Sequence, residues 1–326
     1  MTTSRRGLIV AAAGLGWCVR RARAAEGGYP SRPVRFLVGI PAGGAPDVIA
    51  RILADRLSAH WGQPVIVDNR PAASGNLAAQ AVARGETDGH TLLFAHASML
   101  LLNEGLMRNV PFNGERDFTP VSLLMSTPFM VAARPGMPAS TLAELGAYAR
   151  SRPGPVTFAT ISATGLPRFV GERLRTSLGI EMVNVPYSAM SGAVQDTIAG
   201  RVDLLIDGTP VITPQVKGGF LKALAVTSPA RFPGIEEVPT AAESISGFSS
   251  KGWFGLLGPA GMAEATVQHI AEAARSVLAA PELRARLLQD FGGEVVAGTP
   301  AEFRTSLAQD RRVYRELIAQ VGASIE

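Results

Sequence analysis

The chain has 326 residues, with 31 lysines and arginines against 27 aspartates and glutamates, and a single cysteine. Arg5, Arg6, Arg20, Arg21 and Arg23 precede Ala25, and removing those five leaves 26 basic against 27 acidic residues, a net charge of −1. Composition therefore provides no basic face for nucleic acid or for a membrane surface. Cys18 lies in the same opening stretch, so the chain beyond Ala25 has no disulfide, no thiolate nucleophile and no cysteine metal site.

The first residues read as an address. Ser4-Arg5-Arg6-Gly7-Leu8-Ile9 is a twin-arginine-like start, followed by an apolar run to Val19 and then Ala22-Arg23-Ala24-Ala25. An apolar run of about a dozen residues falls short of the roughly 20 that span a bilayer. Residues 1–25 are expected to be an export signal, cut after Ala24 or Ala25, delivering a periplasmic protein.

After the signal, short β-rich runs alternate with amphipathic helical patterns. Strands are expected at 34–38, 65–67, 91–95 and 121–124, with helices at 47–61 and 76–84. Further strands are expected at 129–133, 156–159, 182–185, 204–206, 222–226 and 253–257. Helices at 142–150, 167–178, 193–199 and 212–218 separate them, and the last third is helical. This alternation predicts an α/β architecture of mostly parallel sheets with helices on both faces.

The first strand runs into Gly39-Ile40-Pro41-Ala42-Gly43-Gly44-Ala45-Pro46-Asp47, and a helical pattern leaves it. A strand–glycine–helix junction of this kind offers unpaired N–H groups and the positive end of a helix dipole to an anion. The spacing fits neither a dinucleotide fingerprint nor a phosphate loop, which needs Gly-Lys followed by Ser or Thr. A βα turn that binds nothing is the plain alternative. Asp47, four residues before Arg51, has the spacing of a capping and i,i+4 pairing residue as well as of a ligand contact.

Proline and glycine punctuation at 135–138, 151–155 and 229–247 suggests that the chain leaves a first lobe, builds a second and returns. The expected division is 26–132 with 249–326 as lobe 1 and 133–248 as lobe 2; one large sheet is the alternative. Ligands favour the crevice between such lobes.

Gly43-Gly44-Ala45-Pro46-Asp47-Val48-Ile49-Ala50-Arg51 resembles the G-G-x-x-D-x-x-A-R motif of the Bug receptors, the TctC-like extracytoplasmic solute receptors of tripartite tricarboxylate transporters. Val67-Asp68-Asn69-Arg70-Pro71, Asp88-Gly89-His90-Thr91-Leu92-Leu93 and Asp117-Phe118-Thr119-Pro120-Val121 are similar to further motifs of that family. Val185-Pro186-Tyr187, Gly200-Arg201-Val202-Asp203 and Trp253-Phe254-Gly255-Leu256 match in the same order. The resemblance implies a two-lobed periplasmic binding-protein (Venus-flytrap) fold. It also implies a receptor that captures a small carboxylate-containing metabolite and delivers it to membrane permease subunits, as a monomer and without a cofactor.

In that family two strand–helix turns facing each other hold the carboxylate through backbone N–H groups. They map onto Pro41, Ala42, Gly43 and Gly44, and onto the stretch ending in Ser162, Ala163, Thr164 and Gly165. The second turn departs from the family's glycine-rich pattern, with Arg168 where a histidine is usual. Ser188-Ala189 likewise come after Tyr187 in place of lysine and glycine. These departures admit a solute less acidic, smaller or more apolar than citrate.

Asp207 ends a strand whose carboxyl end faces the crevice, placed either to accept a ligand amine or hydroxyl or to cap the next helix. His96 and Ser98 come just after the strand at 91–95 and are candidates for the same cleft. With four histidines in the chain, no metal cluster is apparent. A sensor docking a membrane signalling protein and a two-lobed α/β enzyme are the rival readings. The chain shows no G-x-S-x-G elbow and no H-E-x-x-H, so the expectation is a non-enzyme without catalytic residues.

Overall fold

The computed structural model describes residues 28–161 and 165–321; the expected export signal lies outside them, as do Ser162, Ala163 and Thr164. In chain order the elements begin with β1 (Val34–Val38), α1 (Ala45–Trp61), β2 (Val65–Asn69), a 3-10 turn (Ala72–Gly75), α2 (Asn76–Ala83) and β3 (Thr91–His96). Next are α3 (Ala97–Leu101), α4 (Asn103–Leu106), β4 (Phe118–Ala133), α5 (Leu142–Ser151), β5 (Val156–Thr160) and α6 (Leu166–Leu178). Then come β6 (Met182–Pro186), α7 (Met190–Ile198), β7 (Leu204–Gly208), α8 (Thr209–Lys217) and β8 (Lys222–Val226). Last are α9 (Ala241–Ser244), β9 (Lys251–Pro259), α10 (Glu264–Leu278), α11 (Pro281–Phe291), β10 (Glu294–Val295) and α12 (Pro300–Val321).

The strands take the order β2-β1-β3-β9-β4-β7-β5-β6, with β10 and β8 also paired to β4. Parallel ladders join the outer strands, β1 with β2 and β3, and β5 with β6 and β7, and a single parallel bridge joins Val226 of β8 to Thr240. Every pairing of β4, and that of β3 with β9, is antiparallel. This arrangement is a two-lobed fold whose lobes share a strand.

Strand β4 is the physical link. Its first part pairs with β9, from Phe118 opposite Pro259 to Pro128 opposite Lys251. Its last part pairs with β7 and β8, Met130 lying opposite both Asp207 and Val226. The sequence pattern splits this 16-residue strand in two, because Ser126-Thr127-Pro128 interrupts the apolar run. The backbone stays extended because Pro128, opposite Lys251 on one edge, falls between partners on the other. Pairing with β10 ends at Ser126 and pairing with β7 begins at Phe129, so the missing N–H costs no ladder bond there.

The registers also orient the ends. Strands β1, β2 and β3 run in one direction toward the level where β4 changes partners, and β5, β6 and β7 run toward it from the other side. The carboxyl ends of the parallel strands in both lobes therefore face one crevice, where open α/β sheets bind ligands.

Alternate residues on the strands supply separate cores. Phe36, Val38, Leu92 and Phe94 pack with α1 and α10, whereas Leu37, Leu93, Val131 and Leu204 belong to a core shared by both lobes. Met130, Ala132 and Leu205 face a third core with Ile212 of α8. The shared core includes Tyr314 of α12, whose ring meets Phe169 of α6 edge-on at 6.4 Å and whose hydroxyl lies 2.9 Å from Ser250 Oγ.

Candidate functional site

The turn after β1 is built to stay open. Pro41, Ala42 and Gly43 are exposed, and Gly43 has φ +87°, a conformation that favours glycine. Gly44 is the N-cap of α1 in an extended conformation with no side-chain cap, and Pro46 occupies the first helical turn. Among the described residues, no acceptor is bonded to the N–H groups of Ala42, Gly44 or Ala45. An uncapped helix start of this kind stabilises an anion by about 0.3–1 kcal/mol at a surface, and by up to about 2 when partly buried.

Asp47 holds the turn from behind. Its side chain, 3% exposed, accepts from the Gly43 N–H at 2.8 Å, from Arg51 Nε at 3.1 Å and from Asn69 Nδ2 at 2.9 Å. Arg51 also donates to Asn69 Oδ1 at 2.9 Å, and Asn69 Nδ2 lies 3.2 Å from the Ile40 carbonyl. Burial alone would raise the Asp47 pKa, but the bonds from Arg51, Gly43 and Asn69 outweigh it and hold the carboxyl below its usual range. With both oxygens engaged, Asp47 shapes the turn. It takes neither the capping position, which belongs to Gly44, nor a place on the open side of the loop.

Two residues from elsewhere in the chain complete this site. Asn69, at the end of β2, belongs to the Val-Asp-Asn-Arg-Pro stretch already matched as a motif, and its bonds to Asp47 and Arg51 explain why that stretch accompanies the glycine turn; nothing in the sequence linked the two. Gly75 is the other. A Cβ on Gly39 would lie 2.7 Å from the Gly75 Cα and 3.2 Å from Met99 Sδ, so backbone packs directly on backbone. Gly39→Ala is expected to cost about 1–3 kcal/mol, the range for overpacking, because the obstructing atom is main chain. Urea melts of the two proteins measure it, and an unchanged midpoint would refute this close approach.

On the other lobe, β5 ends at Thr160 and Ile161 is 45% exposed. Ser162, Ala163 and Thr164 fall outside the described residues. Gly165 is the extended N-cap of α6, again without a side-chain cap and with proline in the first turn. Arg168, half-buried, lies 3.9 Å from Glu172 one turn on. A third helix start has the same design. Gly208 caps α8 with no side-chain bond, and Pro210 is next but one. By contrast, α5 and α9, which come after loops, take threonine caps that hydrogen-bond backbone N–H groups. A repeated Gly-x-Pro after a strand was the available signal for the third.

His96 ends β3, opposite Phe254 of β9, and is the N-cap of α3. Burial pushes its pKa down to about 4, leaving a neutral imidazole, and Nε2 is buried without a hydrogen-bond partner. Ser98 is half-buried in the first turn of α3. Asp207 lies in the other lobe, opposite Met130. Its Oδ1 accepts the Gly208 N–H at 2.7 Å, its Oδ2 is buried without a partner, and burial raises its pKa to about 6 against the pull of that amide. His96 and Asp207 thus lie on either side of the crossing. Along β4, Met125 (opposite Phe254) and Met130 are about 16 Å apart at ~3.3 Å per residue.

Among the described residues no group of side chains suited to a metal ion is found, and no helix is long and apolar enough to cross a membrane. A family profile described as "Tripartite tricarboxylate transporter family receptor" matches residues 49–322. Protein BugT of Bordetella pertussis (strain Tohama I) is 32% identical over 306 residues, covering 91% of this chain and 92% of that protein. The solved structure of R. palustris Rpa4515 with adipate matches with a TM-score of 0.74 at 29% identity, over 91% of this chain and 100% of that one. MatC (Rpa3494) from Rhodopseudomonas palustris with bound malate matches with a TM-score of 0.70 at 28% identity, over 89% and 100%. The chain belongs to the tripartite tricarboxylate transporter receptor family, a family of solute-binding receptors rather than enzymes.

Proposed function

We propose that this receptor binds a small organic carboxylate in the crevice between its lobes, with the head group on the N–H groups of Ala42, Gly44 and Ala45. The observation that carries this reading is the uncapped start of α1, held open at the carboxyl end of β1 by the buried Asp47. The adipate and malate in two similar structures support the ligand class. Gly165, with Ser162, Ala163 and Thr164, supplies the opposing turn, and His96, Ser98 and Asp207 line the space between. Lobe 1 is taken as 26–132 and 249–326 and lobe 2 as 133–248, so that the two crossings act as the hinge. The receptor works as an exported periplasmic monomer, and closure is driven by the ligand's better fit to the closed form. The closed form docks on the permease subunits of a tripartite tricarboxylate-type transporter.

The test is a thermal-shift and calorimetry screen of residues 26–326 against organic acids and their neutral amides. A carboxylate at 100 times its Kd should add about 2.7 kcal/mol of stability. Stabilisation by a neutral solute and by no carboxylate would overturn the reading.

A further inference from the structure

The carboxyl end of β7 holds a polar atom that the fold leaves unanswered. Asp207 Oδ2 is buried without a hydrogen-bond partner, and its sister oxygen has only the adjacent Gly208 amide. Helix capping does not account for it. The N-cap of α8 is Gly208, no side chain caps that helix, and Asp207 bonds to none of its later N–H groups. Among the described residues no lysine or arginine offsets the carboxyl; burial is opposed by the Gly208 amide alone. A buried oxygen in this position is unfavourable to the folded chain unless another molecule supplies a donor.

The neighbouring strand ends show what that donor is not. The turn after β6 carries the small neutral residues Ser188 and Ala189, both exposed. Arg168, at the start of α6, faces Glu172. A second carboxylate on the solute would therefore meet the Asp207 carboxyl, on which no lysine or arginine among the described residues acts. A hydroxyl or an ammonium group would instead give Oδ2 the hydrogen bond it lacks, and the bond would be charge-assisted.

We infer that the solute is a short monocarboxylate bearing a hydrogen-bond donor, hydroxyl or ammonium, at its far end, and that Asp207 Oδ2 accepts from that donor. The inference rests on the carboxylate reading above and narrows it. It makes Asp207 a specificity-determining residue and sets this receptor apart from one built for a plain dicarboxylate. Lobe opening is the route by which the solute reaches an oxygen otherwise shut off from solvent.

Calorimetry on residues 26–326 tests it with acids of three to six carbons, each length as the plain monoacid, the ω-hydroxy acid, the ω-amino acid and the diacid. At the best length the hydroxy or amino acid should bind about tenfold or more tightly than both the monoacid and the diacid. In Asp207→Ala that preference should fall below about threefold. Asp207→Asn keeps the shape and an accepting oxygen, so preference for the hydroxy acid should persist in it while preference for the amino acid is lost. A diacid that binds best to the unaltered receptor overturns the inference and leaves the carboxylate reading intact. A donor preference that survives Asp207→Ala has the same meaning. If no acid of any kind binds the unaltered receptor, both readings fall.

Discussion

Asp47→Ala is expected to cost the folded protein about 3 kcal/mol and to weaken carboxylate binding by about tenfold or more. The stability loss comes from burial. Removing the carboxylate leaves the Gly43 N–H, Asn69 Nδ2 and the Arg51 guanidinium without their acceptor, in a place that Asp47 shares with little solvent. Breaking one partner of a buried charged network costs about 3–5 kcal/mol, and the half-exposed Arg51 recovers part of that by turning to water. The affinity loss has a different origin. Gly43 sits at φ +87° where an added Cβ would meet nothing within 4 Å, so its bond to Asp47, rather than packing, holds the direction of its amide. A turn that must be ordered on binding returns that cost in the measured Kd. Because the Asp47 pKa is held below the unfolded value of 3.8, its contribution is complete above about pH 4. It is lost only as pH falls through the folded-state value. The difference between wild type and variant should thus be flat from pH 5 to 8. Urea melts and calorimetry separate the two effects. A destabilised variant whose affinity stays within twofold would show that this turn is not where the carboxylate sits.

The glycine turn and the strand–helix alternation were legible because both are local. Apolar period and punctuation placed β1, α1 and the strands at 156–160 and 204–208 within a residue or two of their observed limits. What was not legible depends on partners distant in sequence. The continuity of β4 through Pro128 is decided by where β10 stops and β7 starts, 80 to 170 residues away. The short helices α3 and α4 were missed because, at five and four residues, neither is long enough to show a helical period, and the buried Met99, Leu100, Leu101 and Leu106 read as one apolar run. At the site, the motif Asp and Arg could be read as an i,i+4 pair, but not as three-sided, since Asn69 comes from another strand. In the sequence Asp207 is balanced between capping and ligand contact, and the structure decides against capping because glycine caps α8. A strand-end aspartate next to a glycine looks the same in either role; only the missing partner at Oδ2 separates them.

That missing partner also has a thermodynamic signature. Asp207→Asn is expected to make the free receptor more stable at pH 7.5, by up to about 3 kcal/mol. Burial lifts the folded-state pKa to about 6 from an unfolded value near 3.8, so the native chain holds this proton more tightly than the unfolded one. Stability from this group is therefore greatest below about pH 4, declines as pH rises toward 6 and stays low above it. About two units at 1.36 kcal/mol each give the quoted figure, as an upper bound. Asparagine never ionises, so it escapes the decline. For a chain of this size the gain corresponds to several degrees in Tm at pH 7.5, shrinking toward zero near pH 4. His96, with its pKa pushed to about 4, and Asp310, raised to about 6 chiefly by burial, titrate over the same interval. They are common to both proteins, and the comparison at each pH cancels them to the extent that the sites are independent. Thermal melts of wild type and Asp207→Asn at half-unit steps from pH 4 to 8 read the result. A variant no more stable than wild type at pH 7.5 would mean that the ionised carboxyl already has a donor within the protein. The case for a solute group reserved to Asp207 would then be lost. A variant that gains stability while losing the ammonium preference would mark Asp207 as a residue kept at a cost to folding because the ligand requires it.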